Sequence, residues 1–390
     1  MRLTLAIFFC LLGMQIGNAE DLFIDPANDA DYFGDPENAL NWTAEQKIAG
    51  FRNSDKLFWT RVVEAGDAPL ELPEAGRDLG DVVIRVNDDS MTIDEFFSRQ
   101  KVAGLLVIKD GQIVYERYGL GNNKHSRWVS FSVTKSVVSM LIGAAIKDGY
   151  IENVDKLVAD YLPRMKGSSY EQASIKDILQ MASGVEWNED YADPESDVAS
   201  IDWQTLTLLD QLGSKPRIAS PGEVFNYNTG ETNLAGTLLR AAIGNNLSTY
   251  LSERIWKPFG MGADATWNLT EEGGGEFGGC CISATLRDYG RLGLFALANG
   301  RLSDGTEVLP ANWMAESTTP SVGNPGYGYY WWLGRDGAYA ASGIYGQGIR
   351  IDQKNNVVIA IQSARDEAST DADWAWQIAM YYALTEAVTD

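Results

Sequence analysis

Apolar residues change their spacing three times along this chain. From Gly104 to Tyr118, Leu105-Leu106-Val107-Ile108 and the alternating run Gln112 to Tyr118 flank an Asp110-Gly111 pair. That is the pattern of a β-hairpin, whose tight turn needs residues tolerant of positive φ. The run from Val137 to Ile146 is apolar nearly all round and halts near Gly149, which predicts a buried helix. Helical spacing then dominates from about Val154 to Ser317, most clearly over Ile175–Met181, Thr205–Leu212, Asn233–Ile243 and Leu286–Ala298. β-Branched and aromatic residues return at Tyr327–Leu333, Tyr345–Ile351 and Val357–Ser363, the last two joined by a polar Lys354-Asn355-Asn356 turn, and these predict strands. Trp374–Ala387 predicts a closing helix with an apolar face for that sheet. Strands near both ends with helices between them predict one discontinuous α/β domain, residues 20–154 and 318–390, hosting a mainly helical insertion over residues 155–317.

The first residues change the picture of where the protein works. Arg2 precedes an apolar stretch from Leu3 to Ile16 and then Gly17-Asn18-Ala19, a signal peptide pattern with cleavage expected after Ala19 and a periplasmic or secreted product. The bulky Phe9 before Cys10 argues against lipoprotein processing there. The stretch is short for a membrane span, and no other apolar run reaches membrane length, so no membrane insertion is expected after cleavage. Loss of Arg2 with the leader takes the formal charge from −23 to −24. Such a field repels polyanions and excludes nucleic acid as an expected partner. The mature chain keeps only the neighbours Cys280 and Cys281, expected to be two small buried thiols, since a vicinal disulfide is strained and two ligands do not make a zinc site. Nothing in the pattern fixes the oligomeric state.

Candidate chemistry centres on Ser132 and Lys135, one turn apart at the start of the apolar helix. A hydroxyl there sits at the positive end of the helix dipole and faces the amine three residues on. An amine packed among apolar neighbours has its charged form disfavoured, so it can take the serine proton as the free base. Lysine would then replace the usual imidazole. The chain has a single histidine, His125, set in the polar run Asn122-Asn123-Lys124-His125-Ser126 and expected at the surface. Spacing alone does not identify the pair, because Ser98-Arg99-Gln100-Lys101 has the same spacing in a charged setting.

Downstream, Pro221-Gly222-Glu223-Val224-Phe225-Asn226-Tyr227-Asn228-Thr229-Gly230 precedes a helical stretch. With Ser132-x-x-Lys135, it resembles the second catalytic element of the class C β-lactamase and penicillin-binding-protein family of serine hydrolases. Asp177-Ile178-Leu179-Gln180-Met181-Ala182-Ser183-Gly184, Lys257-Pro258-Phe259-Gly260-Met261 and Thr285-Leu286-Arg287-Asp288 extend the match, in order, over nearly the whole mature chain. The resemblance implies a β-lactamase-like α/β fold, an antiparallel sheet flanked by helices with a mainly helical inserted domain. It also implies no metal or organic cofactor. Tyr227 is implied beside Ser132 and Lys135, shuttling the proton, with Lys135 holding its phenol partly ionised. Thr229 stands where the family has asparagine, and its hydroxyl retains one donor for substrate.

A third family element, a Lys- or His-x-Gly triplet on an edge strand, matches Ala341-Ser342-Gly343, with alanine in place of the cation. Ser342 and Gly343 are then expected to line the substrate site. The residue after the glycine is Ile344, whose backbone N–H would join that of Ser132 in an oxyanion hole. Absence of the cation lowers the expectation of β-lactamase or D,D-peptidase activity. Together these motifs look most like the branch of 6-aminohexanoate-dimer hydrolases and related carboxylesterases, implying ester or small linear amide substrates. Tyr191, in Trp187-Asn188-Glu189-Asp190-Tyr191, stands near the loop tyrosine that aids amide cleavage in that branch. A different class, a silent ligand-binding protein of the same fold, would leave Ser132 unreactive. The paired tryptophans Trp331-Trp332 and Trp374-Trp376 receive no functional role from the sequence.

Overall fold

The predicted hairpin forms as an antiparallel pair, Val102–Lys109 and Gln112–Tyr118, inside a larger sheet. The computed structural model describes residues 22–389; Cys10 and the expected cleavage at Ala19 lie outside the described residues. Numbered along the chain, the strands are β1 (Thr60–Val63), β2 (Val83–Val86), β3 (Asp89–Thr92), β4 (Val102–Lys109), β5 (Gln112–Tyr118) and β6 (Arg127–Val129), then β7 (Ala265–Asn268), β8 (Ile282–Thr285), β9 (Trp332–Leu333), β10 (Tyr339–Ser342), β11 (Gly348–Asp352) and β12 (Val357–Ser363). The main sheet has the order β5-β4-β12-β11-β10-β9, a second sheet β1-β7-β8-β6, and β2-β3 form a hairpin. Neighbouring strands in all three sheets pair antiparallel.

The main sheet is buried on both faces, which is why its central strands read as continuous apolar runs. Leu106, Ile108, Ile349, Ile351, Val358 and Ala360 belong to the core on one side, with the helix Leu286–Leu297 and the helix Val133–Lys147. Leu105, Val107, Ile359 and Ile361 face the other way, towards Trp376, Met380 and Leu384 of the closing helix Asp371–Thr389. The helix Leu286–Leu297, read from sequence with the helical stretch, lies on this sheet. It approaches closely because Gly290 and Gly293 carry no side chain: a Cβ would fall 2.6 Å from Leu106 Cδ2 and 2.4 Å from Val358 Cγ1.

Two predicted strands differ. Of Tyr327–Leu333, only Trp332–Leu333 joins the sheet; Tyr330 has a positive φ of 61° and its N–H bonds Leu179 O at 3.1 Å, turning the preceding residues away. Tyr345–Ile351 splits because Gly343 N–H bonds Gln347 O at 2.8 Å in a tight turn, and the strand resumes only at Gly348. The cysteine expectation also fails. Cys280 and Cys281 are joined as a vicinal disulfide immediately before β8. No helix among the described residues is long and apolar enough to cross a membrane.

Candidate active site

Ser132 occupies the N-terminal cap position of the helix Val133–Lys147, yet its side chain caps nothing. The preceding Phe131 is in the left-handed region at φ 46°, a conformation rare for an aromatic residue and held by its surroundings. Its ring packs edge-on against Phe51 and Tyr345, with centroids 4.9 and 5.1 Å away. Behind it, the Ser130 and Thr134 hydroxyls are 2.7 Å apart and both accept the Ile282 N–H, at 2.9 and 3.0 Å. These bonds fix the helix start against β8 and leave the Ser132 hydroxyl free to face a cavity.

Lys135 is buried, only 1 % exposed. Its amine donates to Ser132 Oγ at 2.9 Å and to the Gly279 carbonyl at 2.9 Å. Burial brings its pKa down to about 8, with the negative charge of Glu189 opposing that fall. Neither the hydroxyl as a cap nor the lysine as a surface cation describes this pair. Ser98-x-x-Lys101, by contrast, is not part of the cavity, and Lys101 pairs with Asp366. His125 is exposed.

Tyr227 comes from the loop Pro221–Tyr227, which is tied to Met181–Gly184 by Asn226 N–H to Met181 O at 2.8 Å and Gly222 N–H to Ala182 O at 2.7 Å. This lacing explains why two motifs forty residues apart in sequence act as one platform. The phenol lies beside Ser132, its ring stacks on Trp332 at 5.7 Å, and Lys135 Nζ lies 5.3 Å from its centroid. The expectation of a partly ionised phenol is corrected here: burial raises the Tyr227 pKa, Glu189 raises it further, and Ser132 only partly offsets them.

Glu189 was missed by sequence reasoning. Its carboxylate receives the Tyr191 hydroxyl at 2.5 Å, the Trp187 Nε1–H, the Thr229 hydroxyl, and the Thr229 N–H at 3.0 Å. That last donor opens the helix Thr229–Ile243, whose dipole favours an anion at this end. Thr229 therefore does not line the cavity, and its hydroxyl is spent on Glu189. The expected substrate contact at Thr229 is replaced by a positioning role. Tyr191 does line the cavity, with its proton turned to Glu189.

The last component is the turn after β10. Ser342, Gly343 and Ile344 line the cavity. A Cβ on Gly343 would stand 2.5 Å from the Ser130 carbonyl, so this turn presses directly on the backbone that leads into Ser132. The Ile344 carbonyl accepts Ser369 N–H at 2.8 Å, while neither the Ile344 nor the Ser132 N–H donates a hydrogen bond within the described residues. Ala341 points the other way, into the core with Val133 and Val137. The whole cavity measures about 690 Å³ and is walled by Trp332, Trp374, Tyr381 and Tyr382 beside the groups above. Two tryptophans left without a role thus belong to it. Adjacent strand residues point to opposite faces, so of Trp331-Trp332 only one could enter the core; Trp331 does, at 2 % exposure, and Trp332 does not.

The β-lactamase family pattern matches residues 92–382. Over 290 residues, 68% of this chain and 73% of the relative, the sequence is 27% identical to a 6-aminohexanoate-dimer hydrolase of Paenarthrobacter ureafaciens. Among solved structures, a Bacillus anthracis protein named after that hydrolase superposes with a TM-score of 0.80 at 24% identity, covering 88% of this chain and 94% of that one. A family VIII carboxylesterase superposes at 0.57 and 18% identity, covering 74% and 95%; both structures share the fold. The chain therefore belongs to the β-lactamase family and is a serine hydrolase with its α/β fold.

Proposed function

We propose that this protein is an exported hydrolase that cleaves an ester or a small linear amide through an acyl-enzyme on Ser132. The observation that carries the reading is the buried Lys135 amine, 2.9 Å from Ser132 Oγ, with its pKa near 8. The free amine takes the Ser132 proton as Oγ attacks the carbonyl carbon. The oxyanion settles between the Ser132 and Ile344 N–H groups. Tyr227, as a neutral phenol, gives its proton to the leaving group and recovers one from the Lys135 ammonium. Water then attacks the acyl carbon with the same groups acting in reverse. Ser342, Gly343 and Tyr191 form the walls nearest the reacting carbonyl. The position of Ala341 in the core, where the family element has a cation, supports esters and linear amides over β-lactams. Export rests on the leader sequence from Arg2 to Ala19.

The decisive experiment treats the protein and its Ser132→Ala variant with a fluorophosphonate and measures intact mass. It then compares 4-nitrophenyl esters, a linear 6-aminohexanoate dimer and a chromogenic cephalosporin. A Ser132-dependent adduct with ester or amide turnover is expected. No adduct and no turnover would leave a silent binding protein, and rapid cephalosporin opening would make it a β-lactamase. The mass of the mature protein tests export, with Glu20 as the expected first residue.

A further inference from the structure

Arg350 stands on β11 opposite Ala340 of β10 and lines the same cavity as Ser132. It is 4 % exposed, its Nε has no partner, and its guanidinium makes no hydrogen bond or ion pair among the described residues. Its contacts are with the faces of Tyr381 and Tyr382, 5.6 and 4.5 Å from the ring centroids. Gly334, also in the cavity wall, keeps the approach open: a Cβ there would lie 3.2 Å from Arg350 Nη1. Among the described residues lining the cavity Arg350 is the one cation, while Glu189, Asp190 and Asp371 are its carboxylates. Glu189 is already met by four donors, and Asp371 forms no ion pair with Arg350. A guanidinium cannot shed its proton, and leaving it buried without a counter-anion is costly. Its planar donor fork matches a carboxylate.

We propose that Arg350 binds a carboxylate at the far end of the substrate. This rests on the hydrolase reading above and narrows it to linear acids. Along β10, Ala340 stands two residues before Ser342, roughly 7 Å at strand rise, and the turn carrying Ile344 lies just beyond. Substrates carry their carboxylate roughly six to eight bonds from the scissile carbonyl.

The test compares each acid with its methyl ester on both sides of the scissile bond. On the acyl side the pair is 4-nitrophenyl hydrogen suberate and its methyl ester. On the leaving side it is 6-(butyryloxy)hexanoic acid and its methyl ester. In the wild type one acid is preferred in kcat/KM by about tenfold to a hundredfold. The preference collapses towards one in Arg350→Met, which keeps the stem that packs on the tyrosines, and survives in part in Arg350→Lys. By calorimetry, suberate binds Ser132→Ala protein and fails to bind the double variant with Arg350→Met. Equal handling of acids and methyl esters by an active wild type, or an acid preference that persists in Arg350→Met, overturns the inference. The wild-type comparison decides the matter even if Arg350→Met does not fold. Absence of Ser132-dependent turnover of either methyl ester overturns the hydrolase reading instead, and suberate binding to the wild type then judges Arg350 alone.

Discussion

Thr229 holds both oxygens of Glu189, giving its hydroxyl to one and its backbone N–H to the other. The carboxylate so fixed favours the ammonium form of Lys135 and disfavours a phenolate at Tyr227. Burial has the larger influence on both groups beside Ser132, lowering the lysine and raising the tyrosine, while Glu189 opposes the first shift and reinforces the second. The lysine thus changes charge near neutrality, and the tyrosine does not.

From this follows a pH profile. Because the lysine must be neutral to accept the serine proton, kcat/KM for a neutral ester is predicted to rise with pH and level off above about 8. Glu189→Gln removes the anion that favours the ammonium, so the rising limb should move to lower pH. A limb that stays in place or moves upward in this variant would refute the assignment.

Gly343→Ala is predicted to lower kcat by about a hundredfold with little change in KM, the loss typical of a displaced oxyanion donor. The added methyl would meet the Ser130 carbonyl at 2.5 Å, and the turn carrying the Ile344 N–H must yield. Circular dichroism should remain native. Unaltered kcat would show that the turn has slack.

Glu231 gives a stability prediction away from the chemistry. Buried on the helix Thr229–Ile243, it accepts from Ser183 and Tyr170, and burial lifts its carboxyl to about 8 despite those bonds. A folded-state pKa above the unfolded value favours the protonated folded form. Its contribution is complete below about 4.5 and is lost as pH rises through about 8. Glu231→Gln should therefore raise Tm at pH 9 by about 2 °C or more relative to wild type, and by less at pH 5. Thermal melts at the two pH values check it; an equal shift at both would contradict the burial argument.

Gly293→Ala tests the helix laid on the main sheet. Its methyl would stand 2.4 Å from Val358 Cγ1 and 2.8 Å from Ile349 Cγ2, so a cost of about 1–3 kcal/mol is expected from overpacking. Denaturant midpoints measure it, and a neutral substitution would mean the interface is looser than described.

Much of this was legible in residues. Helical spacing marks Ser132 and Lys135 and the family's loop motif marks Tyr227, all of them local signals, and Ile344 follows from counting past a glycine. The strand β4 and the helix Val133–Lys147 were found because burial on all sides leaves an unbroken apolar run. What escaped was set by distant parts of the chain. The role of Glu189 depends on donors forty residues away at Thr229. Tyr330 and the Gly343–Gln347 turn interrupt β-rich runs for reasons of tertiary contact, not composition. Arg350, between Ile349 and Ile351, carried a readable trace: a charge between two core residues of a strand must occupy the opposite face, but only the fold shows that face opens into the cavity.

The sheet order β5-β4-β12-β11-β10 has a consequence for biosynthesis. The helix bearing Ser132 leaves the ribosome long before β10, and the turn holding Ile344 is tied by Gln347 Nε2 to the Ser363 carbonyl at 2.9 Å, while β12 pairs with β4 across some 250 residues. A nascent chain or a truncated product ending before β12 has Ser132 and Lys135 but lacks the anchor that ties down the turn carrying the Ile344 N–H. On the acyl-enzyme reading proposed above, hydrolytic competence is thereby withheld until the last strand, β12, has been made.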